Sequence, residues 1–206
     1  MEAGAGQAQA HLLRRLASGD EEAFASVYRA HAPRLYRYAL HMTGQVAAAE
    51  EVLQETFMVL LERADQLDPN RGTVEQFLFG VARNRIRRWL QQDGRYVELP
   101  EERSGEPPAR PFPLVSPGEG DILESLTRDQ LTQRLWQTIQ TLPEHYREVL
   151  VLCELEGLEY SEAAAALGCP VGTVRSRLHR ARELLAERMR SLTGLASSVG
   201  PEQGGE

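Results

Sequence analysis

The chain has 206 residues, 42% of them hydrophobic and 26% charged, with a formal net charge of −7. That length is room for one large or two small domains, and the longest apolar stretches fall far short of a membrane span. Two cysteines, Cys153 and Cys169, make neither a disulfide framework nor a metal site. The opening MEAGAGQAQAH lacks the basic and apolar segments of a signal peptide, so a cytoplasmic location is expected.

Negative net charge argues at first against nucleic acid, but the distribution of charge matters more than its sum. Acid gathers at Glu50, Glu51, Glu55, Glu62, Asp65 and Asp68; base gathers at Arg83, Arg85, Arg87, Arg88 and Arg95, and again from Arg175 to Arg190. Lysine is absent, so every cation other than histidine is arginine, the side chain suited to planar contacts with phosphates and base edges. Composition divides the chain into an Ala/Gly/Gln-rich start (1–10, expected unstructured), a helical stretch (11–95), a linker (96–127), a second helical stretch (128–192) and a loop-like tail (193–206). The linker carries Pro100, Pro107, Pro108, Pro111, Pro113 and Pro117 and shows neither helical nor strand periodicity. The expected fold class is therefore all-α, with two small helical domains on a flexible Pro/Gly-rich tether, each with its own compact Leu/Ala-rich core.

In chain order, Ala23, Phe24, Val27 and Tyr28 begin an amphipathic helix, which Leu35, Tyr36, Ala39 and Leu40 continue beyond Pro33 until Gly44 punctuates it. The next helix, near 47–64, buries Leu53, Phe57 and Leu60 and shows Glu51, Gln54, Glu55, Met58 and Glu62 on its other side. An acidic face with an exposed methionine is either a docking surface for a basic partner or a solvated face. Asp68-Pro-Asn-Arg-Gly72 signals a loop. In the following helix, about 74–92, Phe79, Ala82, Ile86, Trp89 and Leu90 share one side, while Asn84, Arg87 and Arg88 lie opposite, flanked by Arg83 and Arg85. Arginines interleaved with aromatics suit a single strand, the cations following phosphates and the rings stacking on bases. Phe79 reads as core; Trp89 reads as either core or stacking platform.

The segment from Leu142 to Arg190 carries the most specific pattern. Pro143 suits the first turn of a helix, and Tyr146, Val149, Leu150 and Cys153 then form one stripe ending near Gly157. The apolar run Val149–Leu152 could be a strand by itself, but it lies inside a longer helical pattern. Ser161-Glu-Ala-Ala-Ala-Ala-Leu167 is a short helix whose alanines permit close approach of a neighbour. Gly168 stands where a left-handed cap is needed, Cys169-Pro170 makes the turn, and a third helix begins at Val171. At about 100° per residue, Val174, Leu178, Ala181 and Leu185 fall on its buried side, and Thr173, Arg175, Ser176, His179 and Arg180 project outward. A short helix, a glycine-bearing turn and a helix with a basic outer face make a helix-turn-helix, whose second helix enters the major groove and reads base edges.

Three segments together resemble the extracytoplasmic-function (ECF) group of bacterial sigma factors. AEEVLQETFMVLLERA is similar to that family's core-polymerase-binding segment, FLFGVARNRIRRWLQ to the segment that reads and melts the −10 element, and LPEHYREVLVLCELEGLEYSEAAAALGCPVGTVRSRLHRARELL to region 4, which binds the −35 element. The resemblance implies that Glu51, Gln54, Glu55 and Met58 face the clamp helices of the polymerase large subunit, with region 4 near its flap. It further implies that Asn84 lies near the pocket for a flipped −10 base, with Arg83, Arg87, Arg88 and Trp89 along the strand. Thr173, Arg175, Ser176, Arg177, His179 and Arg180 would read duplex DNA at −35. An anti-sigma partner that clamps the two domains is also implied, and membrane insertion is not. Where the family often caps the second helix of region 4 with Ser or Thr, this chain has Glu159, which puts that cap in doubt. The competing expectation is a helix-turn-helix regulator with an N-terminal sensing or dimerisation domain. No P-loop, Cys/His set or spaced carboxylate pair suggests an enzyme, and neither catalytic residues, cofactor nor metal is expected.

Overall fold

The computed structural model describes residues 2–68, 72–93 and 128–192, and every regular element among them is helical. The expected linker at 96–127 and tail at 193–206 lie outside the described residues, as does most of the Asp68–Gly72 loop.

The first half contains α1 (Glu2–Ala17), α2 (Glu21–Thr43), α3 (Val46–Arg63) and α4 (Val74–Gln92), with a 3-10 turn at Ala64–Gln66. Residues 2–10, expected to be unstructured, instead continue α1, which Leu13 and Leu16 anchor in the core. Asp20 caps α2, accepting from the N–H groups of Glu22 and Ala23 at 3.0 Å and from Arg15 Nε at 2.7 Å. The Arg15 bond, followed by the backbone donors, holds its carboxyl down to about 2. The helix runs through Pro33, which lies on the exposed side, where water can serve the carbonyl left without a donor. It stops at Gly44, the expected punctuation, which adopts a left-handed cap with φ 72°. Thr73 and Gln76 cap α4 reciprocally: the Gln76 N–H donates to Thr73 Oγ1 at 3.1 Å and the Thr73 N–H to Gln76 Oε1 at 3.0 Å. The buried stripe of α4 is Leu78, Phe79, Ala82, Ile86 and Leu90, with Phe79 packed 5.5 Å from the Tyr38 ring; Trp89 is half-buried.

The second half contains α5 (Arg128–Thr141), α6 (Glu144–Leu150), α7 (Tyr160–Leu167) and α8 (Val171–Leu192). Pro143 sits at the cap rather than inside the first turn, with its carbonyl accepting from Tyr146 and Arg147. The run Val149–Leu152 stays helical, and α6 widens into a π-type turn at Val151–Leu155 that closes where the Glu156 N–H meets the Val151 carbonyl at 2.9 Å. Glu159 does stand at the N-cap of α7. The side chain that supports the start is Glu162, whose Oε2 accepts from the Glu159 N–H at 2.9 Å, which resolves the cap left in doubt. Gly168, at φ 63°, ends the helix. Val174, Leu178 and Ala181 of α8 are fully buried, and Leu185 is half-buried.

The two halves do not keep separate cores. α7 packs on α4 as well as on α8, and one continuous cluster of buried residues runs from Leu13 to Ala181. The neighbour that the alanines of α7 admit is thus partly a helix of the other half: a β-carbon added at Gly80 would lie 4.0 Å from the Ala166 carbonyl oxygen. Two self-contained cores were expected because periodicity shows which side of a helix is apolar, not which partner covers it.

Candidate functional site

Three surfaces carry the residues singled out from the sequence. On α3, Glu51 and Gln54 are exposed and Met58 is 51% exposed, whereas Glu55 is half-buried and paired to Arg85 Nε at 3.2 Å. Glu55 is therefore tied inward to α4. Sequence reasoning did not anticipate the groove beside this face, about 370 Å³, lined by Phe24, Tyr28, Leu53, Phe57, Met58 and Leu61. Tyr28 and Leu61 stay 42% and 49% exposed along it. The available signal was Leu60-Leu61, since adjacent leucines on one helix cannot both face the core.

On α4, Asn84 and Arg88 are exposed and Trp89 is half-buried. Arg83 and Arg87 turn instead towards α6: Arg83 Nε donates to Glu148 Oε1 at 2.9 Å, and Arg87 Nε lies 3.8 Å from Glu144 Oε1. The Glu148 side chain is only 3% exposed, and the same Oε1 accepts from the Tyr38 hydroxyl at 3.1 Å. Burial, with the Glu148 charge adding to it, pushes the Glu144 carboxyl up to about 7. Burial likewise pushes the Tyr38 hydroxyl well up.

A second polar layer joins the halves. Arg37 donates to Glu156 Oε2 at 2.9 Å, Arg34 donates to the Glu156 carbonyl at 2.6 Å, and Arg34 also pairs with Glu75. The His41 ring stacks on Trp136 with centroids 4.1 Å apart. Burial, and then the Arg37 charge, hold its imidazole down to about 4. Gln140 bridges the layer, donating to the His41 carbonyl and accepting from the Arg147 guanidinium at 2.8 Å. None of these contacts was foreseen. The one hint was a charged residue, Glu148, inside the stripe of Tyr146, Val149 and Leu150, where an acid must find a partner.

On α8, Arg175, Ser176 and His179 are exposed, and Thr173 and Arg180 are half-exposed beside them. Ser176 Oγ donates to the Thr173 carbonyl at 3.1 Å, and the Arg175 guanidinium lies over the Tyr160 ring, 6.0 Å from its centroid. Glu183 gathers two of the others: its carboxylate lies 3.3 Å from His179 Nε2 and 3.0 Å from Arg180 Nη1. The Arg180 bond draws the Glu183 carboxyl down. Arg177 differs from its neighbours, being half-buried: burial and then the Arg177 charge hold the His145 imidazole down to about 4, whereas burial pushes the Cys169 thiol up against the opposing Arg177 charge.

No helix among the described residues is long and apolar enough to cross a membrane, and no group of His, Cys, Asp and Glu side chains among them is arranged to hold a metal.

Comparison with known proteins matches both halves of the chain to one family. Residues 27–96 match the family described as Sigma-70 region 2, and residues 132–185 match Sigma-70, region 4. The ECF RNA polymerase sigma factor SigE of Mycolicibacterium smegmatis is 34% identical over 83% of this chain, which spans 64% of that protein's length. The ECF RNA polymerase sigma factor SigW of Bacillus subtilis is 31% identical over 87% of this chain and 96% of its own. Among solved structures, CnrH in complex with the cytosolic domain of CnrY aligns with a TM-score of 0.64 at 25% identity, covering 89% of this chain and 98% of that one. The sigma factor RpoE of Bartonella quintana, solved with the anti-sigma factor NepR, shares the fold with a TM-score of 0.58 at 23% identity, covering 81% and 96%. With both regions present in the same order, and with a relative of nearly its full length above 30% identity, the chain belongs to the ECF sigma factors of bacterial RNA polymerase.

Proposed function

We propose that this chain is an alternative sigma transcription initiation factor that binds core RNA polymerase and directs it to promoters carrying paired −10 and −35 elements. The observation that carries this reading is the coexistence in one chain of three surfaces in family order. They are an acidic and apolar face on α3, an arginine-bearing strand-facing side on α4, and an exposed basic recognition helix in α8.

Glu51, Gln54 and Met58 would meet the clamp helices, with the adjoining groove taking apolar side chains and Glu55 acting through its pair with Arg85. Arg175, Ser176, His179 and Arg180, with Thr173 beside them, would read the −35 duplex, arginine giving the best discrimination through bidentate bonds to guanine. Arg177 would contribute from the side. Asn84 would sit near an unstacked −10 base, with Arg83, Arg87 and Arg88 on the backbone and Trp89 offering a ring edge. Unstacking a base costs a few kcal/mol, and one base–aromatic stack returns about 1–3 kcal/mol, so binding offsets much of the cost of strand opening. This reading needs no catalytic residue and no cofactor. It places the chain with the polymerase in the cytoplasm, under control of an anti-sigma partner that grips both halves.

The deciding experiment is promoter-dependent initiation with sigma-free core polymerase. Specific transcripts are expected. Absence of transcript from every candidate promoter, together with tight binding of duplex DNA by a dimer of this chain, would favour the alternative of a helix-turn-helix regulator.

A further inference from the structure

One anion stands among the cations of the −35 reader. At about 100° per residue, Glu183 falls within the arc of α8 bounded by Arg175 and Arg180, roughly 12 Å beyond Arg175 along the helix axis. Its exposed carboxylate is engaged at both oxygens: Oε2 accepts from Arg180 Nη1 at 3.0 Å, and Oε1 lies 3.3 Å from His179 Nε2. We propose that Glu183 is a positioning residue for −35 recognition: it holds Arg180 and His179 off the phosphates and towards base edges, lowering affinity for any duplex while raising discrimination between sequences. The inference deepens the sigma reading above and rests on it.

Duplex DNA carries about one negative charge per 1.7 Å of axis, so an anion on the face that meets it weakens binding to every sequence. The bond from Arg180 keeps the Glu183 carboxyl drawn down and therefore charged. What the anion supplies in return is geometry. An arginine free on its long stem reaches the nearest phosphate, a contact offered at every position of a duplex and blind to sequence. With Nη1 taken by Glu183, Arg180 keeps its other guanidinium nitrogens for a further acceptor, and a carboxylate on the same helix fixes the plane they lie in. The His179 side chain is 77% exposed, and the Glu183 carboxylate beside it limits its swing. Arg175 provides the contrast. It lies over the Tyr160 ring, 6.0 Å from the centroid, a face that steadies the guanidinium while leaving its donors free and adding no charge. The reading face thus holds one arginine steadied by a neutral ring and one steadied by an anion. The second arrangement costs affinity, and base discrimination is the return that its geometry can give.

The test uses the full chain, free and in holoenzyme, with a pool of duplexes randomised across the −35 position. The sequence that the native protein selects, its single-base-pair variants and a scrambled duplex are then labelled for fluorescence anisotropy over a range of salt. E183Q removes the charge at nearly constant shape. It is expected to bind the scrambled duplex about three-fold more tightly, with a log–log salt dependence steeper by about 1, and to lose roughly five-fold in discrimination against the single-pair variants. E183D, which keeps the charge on a shorter arm, is expected to restore most of that discrimination. In an H179A/R180A background E183Q should alter the remaining discrimination no further. Core-polymerase binding and helicity by circular dichroism are expected to stay native in E183Q. An equal gain in affinity for every duplex would overturn the proposal, leaving Glu183 a repelling charge and nothing more. A further loss of discrimination in the H179A/R180A background would overturn it too, because Glu183 would not then act through those side chains. A native chain that selects a −35 sequence and initiates from it, alongside an E183Q that discriminates as well, removes this inference alone. A native holoenzyme that selects no sequence and transcribes nothing removes the sigma reading and the inference with it.

Discussion

Replacing Arg175 with alanine separates recognition from folding more cleanly than any other change on α8. The side chain is exposed, and its guanidinium lies over the Tyr160 ring, 6.0 Å from the centroid. A cation–π contact at such an exposed site is worth about 0.5–1 kcal/mol, which bounds the expected loss of stability. A bidentate arginine–guanine contact discriminates by about 1–3 kcal/mol, so affinity for the −35 duplex should fall by roughly 5- to 150-fold. The binding loss therefore exceeds the folding loss, and the two can be told apart. Arg180 is a less direct probe, because it is bonded to Glu183 at 3.0 Å and its removal also releases His179's neighbour. The assay is anisotropy of a labelled −35 duplex with the holoenzyme, run beside core-polymerase binding and thermal unfolding of the free chain. Loss of core binding in proportion to DNA binding would refute the reasoning, since it would mean that Arg175 supports the fold. Unchanged DNA affinity would remove Arg175 from the reading face.

Three further outcomes are expected. Glu51→Arg and Met58→Ala should each weaken core-polymerase binding several-fold in a pull-down titration while leaving the melting temperature in place, whereas Glu55→Arg should lower both, because it breaks the 3.2 Å pair with Arg85. Gly168→Ala should cost about 1 kcal/mol and lower the melting temperature by about 2–4 °C, since φ is 63° and a β-carbon there meets no neighbour, leaving backbone strain as the whole effect. His41 should titrate near 4 by NMR. Its depressed value means that its contribution to packing is fully present above about 6.5 and is lost as pH falls towards 4; a value near 6.5 in the native chain would mean that Trp136 does not cover it.

Much of the second half is legible in the sequence because its determinants are local. Gly168, Pro170 and the spacing of Val174, Leu178 and Ala181 lie within a few residues of what they determine, and backbone sterics and helical periodicity suffice to place them. The stripe of α4 is legible for the same reason. What escaped notice depends on residues far apart. Arg83 and Arg87 look like free cations until α6 arrives with Glu148 and Glu144, and no periodicity of α4 records a partner some 60 positions later. Glu55 reads as part of an acidic face, yet Arg85 claims it. The helix of residues 2–10 was missed because its composition is that of a tail, while its anchors, Leu13 and Leu16, come afterwards.

The alanines of α7 carry a consequence for how the molecule comes apart. Methyl groups let two backbones lie close together, as Gly80 and Ala166 do, but each covers little apolar area, and buried area sets the cost of separation at roughly 25 cal/mol per Å². A seam of leucines between α4 and α7 would hold harder and, once parted, would bare a sticky face to water. A seam of methyls bares less apolar surface to water when it parts. The α4–α7 contact therefore holds the halves close while adding little apolar area to the cost of parting them.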